Sequence, residues 1–267
     1  MAIDFKKLVR KIPPIYRAAS ALYVYLKRHS QLCQVPIDIC TNPMAFSFAP
    51  TGWNYLIEQL KEFDSEKRHN VQNSALWKFH EQYQPKDMSD LPIAAGLDVA
   101  FKPGLSIYPW GSFDVEKSKH GGTAKNAYRT RFHGPSSFEL VERDFFNLLA
   151  LYEYMKVHGY RPWYFANAFI GGVFLERENG QKKFVVLQGN HRTAILAHLG
   201  YKQIWTRYLK RCYKCISEKD VSDWFYVKSG ECSVEDAKAY FDSFFVLTGK
   251  ERAKRGGFGC HITVPEE

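Results

Sequence analysis

The apolar positions of this chain change period several times, and each change predicts an element. Near the start, Phe5, Leu8, Val9 and Ile12 share one helical face with Lys6, Lys7, Arg10 and Lys11 around it, and a second apolar helix follows Pro13-Pro14. Met44 to Phe48 reads as a short strand, and helices follow over 52–63 and 66–82, stopping at Gln84-Pro85. Residues 101–135 carry Gly, Pro and aromatic residues without a period ("FKPGLSIYPWGSF", "KHGGTAKN") and read as loops; at this length such segments usually carry function.

Ser136 and Glu139 form a capping box that opens a long helix. The helix runs to about His158, where Gly159 ends it, with Leu140, Phe145, Leu148, Tyr152 and Met155 as its buried stripe. Two strands, 164–176 and 183–188, are joined through Asn179-Gly180, a hairpin signal. The stretch "VVLQGNHRTAILAHLGY" then passes from strand to helix at Gly189, and a further strand covers 203–209. Ser233 caps a last helix with Asp236 at its third position, on which Ala237, Tyr240, Phe241, Phe244 and Phe245 repeat. There is no internal repeat and no low-complexity segment.

These elements predict an α+β fold with a mostly helical region over 1–100, a mixed core over 101–215 and a helical C-terminal extension over 216–267. With 267 residues, 45% hydrophobic, the chain is long enough to bury a core without staples. Six cysteines at irregular spacing do not make a secreted disulfide framework, and no cleavable signal peptide opens the chain, so a cytoplasmic setting is expected. Cys212-x-x-Cys215 is half of a zinc pattern and lacks a second pair. No apolar run is long enough to span a bilayer.

The formal charge of +9 is unevenly placed: residues 1–30 hold seven Lys and Arg against one Asp. The remainder is close to neutral, which argues against a nucleic-acid groove across the whole fold. Two readings of residues 1–28 stay open: a basic amphipathic segment lying on an anionic membrane surface, or a helix packed on its own domain with a solvated basic face.

The chemistry concentrates at the strand-to-helix junction. A helix starting near Asn190 leaves backbone amides without intrahelical partners, and Gly189 lets an anion approach them. His191 and Arg192 put cationic groups at the positive end of the dipole, which costs a few tenths to about 1 kcal/mol unless a bound anion compensates. A tight corner with Arg192 paired on the surface is the competing reading.

"LQGNHRTAILAHLG" resembles the Gly-x-His-Arg signature of the ParB/sulfiredoxin-like superfamily, and "ELVERDFFNLLALYEYMKVHGYRPWYFANAFIGGVFLERENGQKKFVVL" is similar to the helix, Gly turn and strand that lead into it. The resemblance covers roughly residues 130–210. It implies an α+β nucleotide-binding core, a small mixed sheet with helices, binding ATP, ADP or CTP with Mg²⁺. Asn190 stands where sulfiredoxins carry their cysteine, and the chain after 210 lacks the helix-turn-helix of partition proteins. The pattern is more similar to the free serine kinase branch and, more faintly, to ParB-like-domain proteins of bacterial surface-polysaccharide gene clusters.

The resemblance implies Glu142 as general base, with Glu139 as an alternative, and phosphate binding by Gly189, Asn190, His191, Arg192 and Thr193, with His191 also taking a catalytic role. Arg131, His133 and Ser137 precede the long helix in a segment that the resemblance brings near the phosphates. Trp110 offers a stacking face for a base or sugar, and Gly121-Gly122 offers open amides to an acceptor. Three functions are compatible with this pattern: a phosphotransferase acting on a small polar metabolite such as a sugar or amino acid, a nucleotide-gated regulatory or DNA-binding module, and a non-catalytic partner in glycan assembly.

Overall fold

The computed structural model describes residues 32–66, 70–83, 108–118, 136–164 and 169–255. The basic segment 1–28, and Gly121, Gly122, Arg131 and His133, lie outside the described residues. Among the described residues, six strands form one mixed sheet: β1 (Leu32–Pro36), β2 (Cys40–Thr41), β3 (Ile170–Glu176), β4 (Lys182–Gln188), β5 (Gln203–Tyr208) and β6 (Cys215–Ser217). Their order is β1-β5-β3-β4-β2, with β6 also on β3. On that edge of β3, β5 runs parallel to Ile170–Gly172, and β6 runs parallel to Phe174–Glu176.

The hairpin between β3 and β4 forms as expected. Gly180 takes φ 84°, and Arg177 N–H donates to Gln181 O at 2.9 Å. In β4 the consecutive residues Phe184, Val185 and Val186 are all buried, so both faces of the sheet are covered at its centre.

The described helices are α1 (Tyr55–Glu66), α2 (Ala75–Gln82), α3 (Val115–Ser118), α4 (Phe138–His158), α5 (Asn190–His198), α6 (Phe225–Lys228), α7 (Val234–Val246) and α8 (Lys250–Arg255). α1, α2, α4 and α5 pack on one another, and α5 lies against β3 and β4. Trp110 and Tyr108 pack with Tyr240 of α7, and Trp110 also meets Trp224, forming a second aromatic cluster. No described helix is long and apolar enough to cross a membrane.

The α+β class is as expected, but several elements differ. β1 and β2 come from the first hundred residues, where periodicity indicated helices and one other strand. Met44–Phe48 is not a strand: Asn42 Oδ1 accepts from the backbone N–H groups of Met44 and Phe46, both at 2.9 Å, and folds the chain into a buried turn. α4 starts one residue later than the capping box implied, with Ser137 as N-cap and no side-chain cap bond. Glu139 instead turns its carboxyl to its own backbone N–H and the Ser137 hydroxyl, which hold it below the usual carboxylate range. Leu140 is 45% exposed and Val141 takes its place in the core, because Val141 stands one helical turn before Phe145.

Candidate functional site at the Gly189 turn

Gly189 follows β4 directly with φ 96° and ψ 29°, a left-handed conformation that glycine adopts without a Cβ penalty. The first bond of the α5 ladder runs from Thr193 N–H to Gly189 O at 2.9 Å. The amides of Asn190, His191 and Arg192 therefore precede the ladder and lie at the positive end of the helix dipole. A Cβ placed on Gly189 would sit 3.3 Å from both Nε and Nη2 of Arg192 and 3.2 Å from Ile170 Cγ1. The Arg192 guanidinium thus lies close over the turn.

A second guanidinium approaches from β5. Arg207 donates through Nη2 to Gln188 Oε1 at 3.0 Å, and Gln188 immediately precedes the turn. Gly171 stands between these two strands in register with both residues. Tyr160 joins the arginines: its hydroxyl donates to Trp205 O at 3.1 Å and accepts from Ile170 N–H at 3.0 Å. Burial pushes the Tyr160 hydroxyl up to about 12, against the backbone bond and the charges of Arg192 and Arg207. Burial likewise pulls the Arg192 pKa down, opposed by Tyr160. Two half-buried arginines therefore act on one hydroxyl, Arg192 from the first turn of α5 and Arg207 from β5.

His191 points the other way, toward α4. Its Nε2 lies 3.7 Å from Asp144 Oδ2, with the Asp144 side chain 9% exposed. Asp144 follows Val141 by three residues and precedes Leu148 by four, which puts a carboxylate on the buried stripe of α4. Glu142 is two residues away, about 200° around the helix, and half-buried. The carboxylate paired with the turn's histidine is Asp144. Asn190 completes the turn, its Oδ1 shielded from solvent and without a hydrogen-bond partner among the described residues.

Other expected site residues are placed differently. Thr193 is fully buried and its hydroxyl donates back to Gly189 O at 3.1 Å, so it fastens the turn from inside instead of reaching a phosphate. Trp110 is 2% exposed, stacked on Tyr108 at 5.2 Å and edged by Trp224 and Phe241, so it is a core residue and offers no open stacking face. Ser137 is exposed at the start of α4 and bonded to Glu139.

Asp144, Arg207 and Tyr160 were not anticipated. Asp144 had a readable signal, being an acidic residue at a position of the apolar stripe. Arg207 and Tyr160 had none, since sheet pairing and a loop bring them to the turn.

At the far end of α5, His198 Nε2 lies 2.8 Å from Asp64 Oδ2, which also accepts from Tyr152 OH at 2.7 Å. Lys156 stands 3.4 Å from Oδ1 of the same carboxylate. This cluster ties α1, α4 and α5 together and fixes the tilt of the helix that carries the turn. Among the described residues no group of three or more His, Cys, Asp or Glu side chains is placed to hold a metal ion, and Cys212 and Cys215 are not joined by a disulfide. No protein-family model, curated protein or solved structure matches the chain.

Proposed function

We propose that the Gly189 turn binds the phosphates of a nucleotide and that the protein transfers a phosphoryl group to a small polar metabolite, a sugar or an amino acid. The observation that carries this reading is the Arg192 guanidinium lying over the Gly189 turn at the amide start of α5, with Arg207 bonded to the preceding Gln188. Helix amides favour an anion, and an arginine guanidinium binds phosphate oxygens in a fork. The Oδ1 of Asn190, shielded from solvent and without a hydrogen-bond partner among the described residues, is an acceptor left over inside the turn. On this reading β3, β4, α4 and α5 form a ParB/sulfiredoxin-like core.

Phosphoryl transfer asks mainly for positioning and charge neutralisation. The acceptor hydroxyl oxygen attacks phosphorus, the bond to the nucleotide's bridging oxygen breaks, and the hydroxyl proton passes to a base. His191, held against Asp144, is placed to take that proton, and its imidazolium would stand between the carboxylate and the phosphates. Glu142 is the base that the family resemblance implies, and it lies about 200° around α4 from Asp144. The residues fit Mg²⁺ arriving with the nucleotide, because such an ion takes most of its ligands from phosphates and water and needs one or two carboxylates. It would neutralise phosphate charge, with Asp144, the carboxylate on the side of α4 that meets the turn, nearest to it.

The test is a mass-spectrometric screen for phosphorylated metabolites, with ATP, ADP or CTP and Mg²⁺, comparing wild type with Asp144→Asn and Glu142→Gln. A product that wild type makes and Asp144→Asn does not supports the reading. Nucleotide binding without product across sugar and amino-acid pools rejects phosphotransfer and leaves a nucleotide sensor.

A further inference from the structure

The geometry points to a second ligand site, remote from the Gly189 turn, that takes a small organic cation with a flat apolar body. A cavity of about 690 Å³ opens where β6, the 3-10 turn Glu218–Asp223 and α6 meet. This volume lies within the range of small-molecule sites. Trp110 and Trp224 are buried at its base, and half-buried Tyr213 and Phe225 line it. Exposed Asp220, Asp223 and Lys228 contribute to its lining.

The site is built rigidly. Trp110 and Trp224 meet edge-on at 5.4 Å, and both rest on Phe241 of α7. The strap carrying Trp110 is tied on both sides, by Tyr226 N–H to Pro109 O at 3.0 Å and by Tyr213 N–H to Phe113 O at 3.1 Å. A preformed aromatic pocket loses little entropy when a ligand enters.

The charge selects the ligand. Lys228 Nζ lies 3.0 Å from Asp223 Oδ1, so those two charges offset each other. Asp220 then leaves a net negative charge among the three charged lining residues, in a chain that is positive overall. The half-buried rings of Tyr213 and Phe225 attract a cation and also cover an apolar body, whereas an anion would meet Asp220. β6 registers with Phe174–Glu176, four or more residues along β3 from Ile170 at the turn, or roughly 13 Å at the usual strand rise. Occupancy of one site leaves the other accessible.

Calorimetric titration with phenethylammonium, 2-phenylethanol and 3-phenylpropionate, which share a ring and differ in charge, tests the assignment. The expected affinity order is cation, alcohol, anion. Asp220→Asn should weaken the cation alone, by about threefold, and Lys228→Ala should strengthen it by a similar factor by releasing Asp223. Phe225→Ala should weaken the cation and the alcohol together, and Arg192→Ala should change none of the three. Absence of binding, equal affinity across the series, or a cation affinity indifferent to Asp220 and Lys228 overturns the proposal. Because Lys228→Ala is expected to gain affinity, unfolding of a variant cannot imitate the result.

Discussion

His191 Nε2 lies 3.7 Å from Asp144 Oδ2, so the first turn of α5 is coupled to a carboxylate on the buried stripe of α4. The pair gives α4 a role beyond packing. It sets a carboxylate beside the histidine at the start of the helix, where the amides precede the α5 ladder. Replacing Asp144 by Asn keeps the side-chain volume and removes the charge. The expected outcome is a fall in phosphotransfer turnover of about 10²-fold or more with folding retained, and a much smaller fall for Glu142→Gln. Steady-state kinetics alongside circular dichroism checks it.

Gly189→Ala separates strain from function. Forcing a Cβ into the left-handed region should destabilise the protein by about 1–2 kcal/mol in urea unfolding. The same Cβ meets the Arg192 guanidinium at 3.3 Å, so nucleotide affinity should also fall. Gly200 has φ 80° with open space around its Cβ position. Gly200→Ala should therefore lose comparable stability and keep its nucleotide affinity.

The Asp64 cluster sets an acid limit. Burial raises the Asp64 pKa, but hydrogen bonds from Tyr152 and His198 and the charge of Lys156 outweigh it and hold the carboxyl below its usual range. A carboxyl depressed in the folded state contributes stability above its unfolded pKa, near 4, and loses it as pH falls through the folded value. Wild type should lose part of its stability below about pH 4, and Asp64→Asn should flatten that part of the profile. Denaturation midpoints measured from pH 2 to 7 decide this.

Trp110 is a packing residue. Trp110→Ala should cost about 3–5 kcal/mol, as expected for an aromatic residue removed from a core, with a large drop in thermal midpoint. Below that midpoint its nucleotide affinity should equal that of wild type, because the indole is enclosed by Tyr108, Trp224 and Phe241.

The strand-to-helix junction was legible because its signals are local. The apolar run through Val186, Gly189 and the start of α5 at Asn190 are fixed by neighbouring residues, as are the Asn179-Gly180 hairpin and the Ser233 cap. β1 and β2 were not legible: five and two residues are too few for a period, and β1 exists because β5 pairs with it. Arg207 and Tyr160 escaped for the same reason, since only tertiary pairing brings them to Gln188 and Arg192. Trp110 was misassigned because an aromatic residue among Gly and Pro has the same local pattern whether it stacks on a ligand or closes a core. Glu142, with Glu139 as its alternative, came from family placement, whereas the stripe through Val141, Phe145 and Leu148 puts Asp144 inward.

The central claim is that the amide start of α5, with Arg192 and Arg207, captures a polyphosphate. Titration of ATP, ADP and CTP in the presence of Mg²⁺ into wild type, Arg192→Ala and Arg207→Gln by calorimetry tests it most directly. The expected result is micromolar-range binding of at least one nucleotide by wild type, weakened about tenfold or more in each variant. Absence of binding to all three nucleotides, or binding that neither variant changes, contradicts the claim.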